Sequence, residues 1–315
     1  MRTSLNRRAV PVNSMRQHAM ATGVIPAQRS RAADLAAYRG AVADLLAEAE
    51  GLIAGGRVRA LRTLLAGRLA GGDFGAVLSV VPGGAAAAVE GLSREVGGCG
   101  GGDGRAAGMS AVIRIYLLAQ IDAMWWGEAA GFESDEDLLS AGELVDVEVL
   151  RRGGHVGFRY RRQAQTAAGR AVRFAERRAW PDRAPRTAGL RFSRARPEVV
   201  ALLNQLAAGF AASGPPGTPP LWVTSLARSV AHQHRLRGLG YAALLPSAHC
   251  SGYAADIEIL WYRRYGADLA LRSLLLERQA VGEVSVIDEG QAWHVCVSPA
   301  AVPGLRRAFQ AGLGG

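Results

Sequence analysis

The chain has 315 residues, of which 49% are hydrophobic, enough to bury a large apolar core in one or two domains. All 37 basic residues are arginine and outnumber the 27 acids, which gives a formal net charge of +10. Because the arginines are scattered and do not alternate with aromatic side chains, we predict no nucleic-acid partner. The three cysteines (Cys99, Cys250 and Cys296) are too few for a disulfide framework, and their spacing does not suit a thiolate zinc site.

The chain contains no predicted membrane span and no predicted secretion signal. Its most apolar stretch, residues 111–126, is too short and contains Arg114 and Asp122. Arg7 and Arg8 are not followed by an apolar segment, so the sequence as given has no export signal. Residues 1–32 contain several arginines and no acid, which predicts a flexible basic arm.

The region from residue 33 to residue 127 has a helical period. Apolar residues recur at spacings of three and four, at Leu35, Tyr38, Val42 and Leu45 in one segment and at Val58, Leu61, Leu65 and Leu69 in the next. We therefore predict a mainly helical region, whose role the sequence does not indicate. The glycine-rich stretch at 97–104 is predicted to be a loop, because glycine loses much entropy on ordering and adds no packing.

Between residues 128 and 195 the period changes to two. Apolar residues alternate with charged ones on both sides of the Gly153-Gly154 pair, at Val145, Val147 and Val149 before it and at Val156, Phe158 and Tyr160 after it. This pattern predicts a β-hairpin with a Gly-Gly turn, followed by a connector.

Residues 196–315 mix helical and strand patterns. Pro197 at the first helical position and Gly214 after the last delimit one helix. Short strands are predicted at 221–226, 253–260, 283–288 and 292–298, with further helices at 228–236, 265–281 and 304–313. Because this order contains no repeated βαβ unit, we predict an α+β fold.

The segment SAHCSGYAAD, residues 247–256, places a histidine seven residues before an aspartate. His249 is predicted in a loop and Asp256 in the strand that follows. Gly252 would let the backbone reverse between them, so that both side chains point at one spot. A catalytic zinc site needs three protein ligands and an open position for water. The only histidine further along the chain is His294, which is the candidate third ligand.

Other histidines and cysteines stand near these candidates. His232 and His234 are set aside as ligands, because residues i and i+2 of a helix face about 200° apart and cannot chelate together. Cys250 and Cys296 each lie within two residues of a proposed ligand, so the two sulfurs are expected to be close if the ligands share a metal. They are interpreted either as a disulfide or as buried thiols.

Three segments of the carboxyl-terminal half carry a family resemblance. SAHCSGYAAD matches an SxHxxGxAxD motif, EGQAWHV matches a second motif in which an acid precedes Trp-His, and VTSLARSVAHQHRLR contains an upstream Ser-x-x-Arg. In this order they resemble the zinc-dependent D-Ala-D-Ala peptidases of the M15 type, over residues 196–298. The resemblance implies the fold shared with the hedgehog signalling domain, a small antiparallel sheet flanked by helices. No counterpart is recognised for the amino-terminal half.

The resemblance also implies roles for individual residues. One Zn²⁺ per chain would be held by His249, Asp256 and His294. Arg228 would stabilise the developing oxyanion or grip a substrate carboxylate. Ser247 is implied to position the substrate, and Trp293 is expected to pack in the core or wall the pocket, where it would contact the substrate.

The general base departs from the pattern of the family. The dipeptidase branch has an acid three positions before the final histidine, where this chain has Gln291. The nearest acids are Glu289 and Asp288, and we prefer Glu289 because its longer side chain reaches further. Glu258 is a weaker candidate, two residues after Asp256 on the same face of the strand.

The sequence therefore predicts a zinc metallopeptidase of the D,D-carboxypeptidase or dipeptidase kind. Its expected substrates are peptidoglycan stem peptides or related peptides that contain D-amino acids. The alternative is a hedgehog-fold module that binds zinc, hydrolyses little, and acts in cell-wall or partner binding. The family implies the bacterial cell envelope, whereas the chain as given, without an export signal, implies the cytoplasm; the oligomeric state is left open.

Overall fold

The computed structural model describes residues 35–98, 105–180, 183–241 and 243–314. Within these ranges it contains thirteen helices and seven strands, which confirms the predicted α+β class. The predicted basic arm at residues 1–32 lies outside the described residues, as does Cys99.

The amino-terminal half is mainly helical, as predicted. Its helices are α1 (Leu35–Ala54), α2 (Val58–Leu69), α3 (Gly72–Leu78), α4 (Gly84–Gly98) and α5 (Arg105–Trp126). Their buried residues keep the spacing seen in the sequence, with Leu61, Leu65 and Leu69 of α2 as one example. Gly97 and Gly98 belong to α4, so this helix continues into the stretch predicted to be a loop. None of the described helices combines the length and apolarity needed to cross a membrane.

The middle of the chain contains short elements and one longer helix. They are α6 (Asp135–Ser140), β1 (Val145–Asp146), α7 (Val147–Arg152), β2 (Arg159–Tyr160), α8 (Ala167–Ala179) and β3 (Arg194–Ala195). Strand β1 pairs antiparallel with β3, and β2 joins the main sheet instead of pairing with β1.

The predicted β-hairpin at residues 145–161 is therefore wrong. The Asp146 side chain accepts a hydrogen bond from the backbone N–H of Glu148 at 2.9 Å and starts helix α7. Val147 is buried on that helix, and the Tyr160 hydroxyl donates to Glu148 Oε2 at 2.6 Å. The segments on the two sides of the Gly153-Gly154 pair do meet, but as helix α7 against strand β2. The alternation continues as a strand only over Val145–Asp146; the Asp146 cap then starts α7, on which Val147 is buried and Val149 is 58% exposed.

The carboxyl-terminal part follows the predicted order, with one additional short helix. Its elements are α9 (Pro197–Ser213), β4 (Trp222–Ser225), α10 (Val230–Gly238), β5 (Ala254–Glu258), α11 (Leu260–Arg263), α12 (Asp268–Ala280), β6 (Val284–Asp288), β7 (Ala292–Val297) and α13 (Val302–Leu313). Pro197 occupies the first turn of α9, as its fixed φ favours.

The main sheet has five strands in the order β2-β4-β5-β7-β6. Strands β2 and β4 run parallel, and all the other neighbours are antiparallel. On the central pair, Asp256 of β5 stands directly opposite His294 of β7. The register therefore brings together two candidate ligands that are 38 residues apart in the chain.

The helical half packs against this sheet and shares its core. The Trp126 indole at the end of α5 donates to the Val297 carbonyl of β7 at 2.8 Å. Its ring also stacks on Tyr253, with centroids 3.5 Å apart and planes 9° from parallel. Arg114 of α5 donates to the Asp288 carbonyl at 3.0 Å. Both halves contribute residues to one continuous apolar cluster.

Trp126→Ala is expected to lower the free energy of unfolding by about 3–5 kcal/mol, because it leaves a large cavity at the junction of helices and sheet. Urea denaturation followed by circular dichroism measures this loss. The matched control is Trp180→Ala, whose side chain is 58% exposed and which should change stability by about 0.5 kcal/mol or less. Equal effects of the two substitutions would contradict a shared core.

Candidate metal centre

The three side chains predicted as metal ligands meet at one buried point. His249 Nε2 lies 3.0 Å from Asp256 Oδ1 and 3.2 Å from His294 Nδ1. His294 Nδ1 lies 3.2 Å from the same carboxylate oxygen. The three residues are only 2%, 5% and 6% exposed, so their polar atoms depend on one another. Two imidazoles and one carboxylate thus converge from the 247–253 turn, β5 and β7.

The separations between these donor atoms fit a tetrahedral metal ion. Zinc binds nitrogen and oxygen ligands at about 2.0–2.1 Å, so two ligands of a tetrahedral site stand about 3.3 Å apart. The three observed separations of 3.0, 3.2 and 3.2 Å are close to this value. Imidazole and carboxylate are also the donors that catalytic zinc sites use. The triad could therefore hold a metal ion with small movements of its side chains.

The turn between Ser247 and Tyr253 orients His249. The backbone N–H of Tyr253 donates to the Ala248 carbonyl at 3.0 Å and closes the turn. Gly252 has a φ of +79°, and a Cβ there would lie 3.1 Å from Leu144, so the position favours glycine. His249 Nδ1 lies 2.8 Å from the Leu226 carbonyl, which leaves Nε2 for the metal.

His294 is held from behind by a residue of the helical half. Its Nε2 lies 2.8 Å from Asp122 Oδ2, and Asp122 is buried on α5. A carboxylate on the outer nitrogen of a histidine ligand is a common arrangement in metal sites, where it fixes the ring and raises its basicity. From the sequence, Asp122 was noted only as a charge within an apolar stretch. An acid within an apolar helical stretch was a signal, because such a group needs a partner once it is buried.

The two carboxylate oxygens of Asp256 have different partners. Asp256 Oδ2 accepts a hydrogen bond from the Arg228 guanidinium, and Oδ1 faces the two histidines. Arg228 Nε donates to Ser225 Oγ at 2.8 Å, and Nη1 donates to Gln233 Oε1 at 3.2 Å. The structure therefore places Arg228 against the triad, where three side chains hold it.

Burial and neighbouring charges set the protonation of the three candidate ligands. Burial, with the positive charge of Arg228, lowers the pKa of His249 to about 4, so this imidazole is neutral at pH 7. Burial also disfavours charge on His294, but hydrogen bonds to Asp122 and Asp256 outweigh it and raise its pKa well above the usual value. For Asp256, burial is outweighed by His249 and Arg228, which hold its pKa well below the usual range.

A cavity of about 800 Å³ lies beside the triad. Its wall includes Arg228, Asp256, Glu289 and Gln291. Burial and the negative charge of Asp256 raise the pKa of Glu289 to about 7. Glu289 is thus an acid on the cavity wall, near the triad, that can exchange a proton around neutral pH.

The other two candidate bases are engaged in local structure. Asp288 Oδ1 accepts a hydrogen bond from the Gly290 backbone N–H at 2.7 Å, within the turn between β6 and β7. Glu258 lines the cavity, but its Oε1 accepts from the Trp261 backbone N–H at 3.1 Å at the start of α11. Of the three acids, the position of Glu289 is the one that best suits the predicted base.

The predicted substrate-binding residues lie away from the larger cavity. Ser247 lines a second cavity of about 150 Å³, together with Asp122 and Cys250. Trp293 is buried in the apolar core, on the opposite face of β7 from His294. Their positions give no support to contact with a substrate in the larger cavity.

Among the described residues, His232, His234, Cys250 and Cys296 take no part in the triad. His232 is buried on α10, and His234 on the same helix is exposed. Cys250 and Cys296 are buried free thiols. Burial raises the pKa of Cys250 to about 11 and that of Cys296 well above its usual value, so both are protonated at pH 7.

Comparisons with protein-family models, with curated proteins and with solved structures found no match for this chain. The resemblance to zinc D-Ala-D-Ala peptidases therefore stays a prediction. The site combines three convergent donors, a carboxylate behind His294, a fixed arginine and an acid on the cavity wall.

Asp122→Asn is expected to weaken zinc binding by about 10–100-fold, because His294 loses the carboxylate that orients its ring. Competition with a chromophoric chelator measures the Kd. Asp44→Asn, at an exposed position of α1, is the control and should leave the Kd unchanged. If both variants bind zinc like the parent chain, Asp122 does not support the ligand.

The zinc affinity is expected to rise about tenfold per pH unit between about pH 5 and pH 6.5, above the pKa of His249 and below that of His294, because binding displaces one proton. That proton belongs to His294, whose pKa is raised, whereas His249 and Asp256 are already deprotonated in this range. Chelator competition at several pH values measures the slope. A slope of log Kd against pH near zero, or near two, would show that zinc binding does not displace one proton from the three ligands.

Proposed function

We propose that the protein is a zinc-dependent peptidase that hydrolyses a peptide bond in peptidoglycan stem peptides or related peptides containing D-amino acids. The observation that carries the proposal is the convergence of His249, Asp256 and His294 at separations suited to zinc, beside a cavity that can admit a peptide segment. The three sequence segments that resemble D-Ala-D-Ala peptidases support the substrate class. We propose the hedgehog/DD-peptidase fold with it, and the antiparallel strands β4, β5, β7 and β6 agree with that fold.

The residues around the triad have chemically distinct tasks in such a reaction. When bound by His249, Asp256 and His294, zinc supplies a Lewis acid that lowers the pKa of water and polarises a carbonyl group. Glu289 would accept the proton of the attacking water and pass it to the leaving amine, for which a pKa near neutrality is well suited.

Arg228 would supply a fixed positive charge to the same reaction. Its guanidinium lines the cavity and is held by Ser225, Gln233 and Asp256, so it needs little reorganisation when negative charge develops on the substrate oxygen. The same guanidinium would attract a substrate carboxylate. Both tasks use its position on the cavity wall, beside the carboxylate of the triad.

One observation favours the alternative of a zinc-binding module that hydrolyses little. Gln291 occupies the position at which the dipeptidase branch of the resembled family has its base, and an amide cannot accept a proton. Hydrolysis then depends on Glu289, two residues earlier. The two functions differ in what the chain does after zinc has bound, so they are separable by experiment.

Glu289→Gln is expected to lower kcat on a stem-peptide substrate by about 100-fold or more, because the amide cannot carry the proton. Zinc content should stay near one ion per chain, because Glu289 is not a ligand. Amine release from stem peptides ending in D-Ala-D-Ala measures the rate, and atomic absorption measures the metal.

Two control variants separate the outcomes of this experiment. Asp288→Asn changes the neighbouring acid, which is engaged in the turn, and should leave kcat within about threefold. His294→Ala should lose the zinc. A parent chain that binds zinc without hydrolysing any stem peptide would favour the module, and a folded chain without stoichiometric zinc would refute both functions.

A further inference from the structure

Helix α8 turns its apolar side chains away from the protein. None of its residues is buried, and Val172 and Phe174 are 58% and 72% exposed. Trp180, which follows the helix, is 58% exposed. A helix on the surface of a globular protein normally faces the core with its apolar side. The orientation of α8 is the reverse of this.

The charged side of α8 attaches the helix to the rest of the protein. Arg173 donates to the Ala188 carbonyl at 2.9 Å, and Arg177 donates to the Thr187 carbonyl at 2.7 Å. Because each residue advances about 100° around a helix, the opposite side carries an apolar arc about 100° wide. The residues of this arc, all exposed, are Ala168, Ala171, Val172, Ala175 and Ala179. Phe174 stands beside the arc.

The segment that contains α8 is also the most basic part of the described chain. Residues 159–186 include nine arginines and two acids, a net charge of +7, whereas the whole chain has +10. The arginines are therefore not evenly scattered, as the sequence analysis took them to be. Arg170 and Arg178 are exposed on α8 itself. The partner of the apolar arc must accordingly tolerate, or attract, a high positive charge.

We propose that α8 and Trp180 form a docking surface for a membrane rich in anionic lipids. An interfacial helix of this kind buries its apolar arc at the level of the headgroups, with aromatic rings at the boundary and arginines paired with lipid phosphates. Phe174 and Trp180 supply the aromatic rings, and Arg170 and Arg178 supply the charges. Each basic residue near an anionic surface raises the affinity about fivefold. Binding is reversible, because a single 13-residue helix buries little apolar area.

The apolar arc distinguishes this partner from a nucleic acid. A nucleic acid would use the arginines and would leave Val172 and Phe174 in water, so exposed apolar side chains would add nothing to its binding. A lipid surface uses both the charge and the apolar arc. The proposal is independent of the proposed peptidase activity, and its test requires no substrate and no bound metal.

The test is co-sedimentation of the full chain with phosphatidylglycerol/phosphatidylcholine vesicles, compared with pure phosphatidylcholine vesicles. The parent chain should bind the anionic vesicles at least about tenfold more tightly, and salt should weaken that binding. Phe174→Ala/Trp180→Ala should reduce the affinity about tenfold or more, because it removes the two aromatic rings and keeps every charge.

The matched control is Leu269→Ala/Val281→Ala, which removes two exposed apolar side chains from the α12 region and should bind like the parent chain. Circular dichroism confirms that both variants are folded. Equal vesicle binding by both variants, or no vesicle binding by the parent chain, would overturn the proposal. A dimer would also overturn it, if the parent chain dimerises in analytical ultracentrifugation, binds no vesicles, and loses the dimer in Phe174→Ala/Trp180→Ala. The surface would then join two copies of the chain.

Discussion

A buried carboxylate, that of Asp256, is the constraint on which the rest of the site depends. A carboxylate in the protein interior is stabilised by hydrogen bonds and positive charges placed on its oxygens. One oxygen faces His249 and His294, and the other is paired with Arg228. The same partners that stabilise the charge also bring two imidazole nitrogens to within 3.2 Å of each other. A cluster held in this way is already arranged for a cation, so the metal would replace a proton and would not have to organise the site.

This constraint extends from the sheet into the helical half of the protein. His294 needs a partner for its second nitrogen, and that partner is Asp122 of α5. Trp126, one helical turn further along, fixes α5 to β7 through the Val297 carbonyl. The helical region, for which the sequence suggested no role, therefore supports a ligand of the candidate centre. Loosening the contact between α5 and the sheet should disturb the site as well as the fold, because the same helix serves both.

The hairpin between residues 145 and 161 illustrates why part of the fold was mispredicted. Five residues of alternating polarity are typical of a strand, but only Val145 and Asp146 form one, and the chain then turns into α7 with Val147 facing inwards. The choice depends on Asp146, whose side chain caps the helix, and on Tyr160, which reaches Glu148 from a strand of another sheet. Helix α8 was not predicted, because the residues that follow the predicted hairpin were interpreted as a connector. Its apolar period is visible in the sequence, but a period does not say whether the apolar side faces the core or the solvent.

The sequence by itself determined the α+β class, the helical first half, the order of strands after residue 196 and the identity of the candidate ligands His249, Asp256 and His294. These features follow from local spacing, from end signals such as Pro197, and from a motif whose residue types suit one chemistry. Tertiary structure alone decided that Asp122 stands behind His294, that Glu289 and not Asp288 faces the cavity, and that Trp293 lies in the core. Each of these depends on which face of an element meets which neighbour. That choice is made by packing between residues distant in the chain, and local sequence does not encode it.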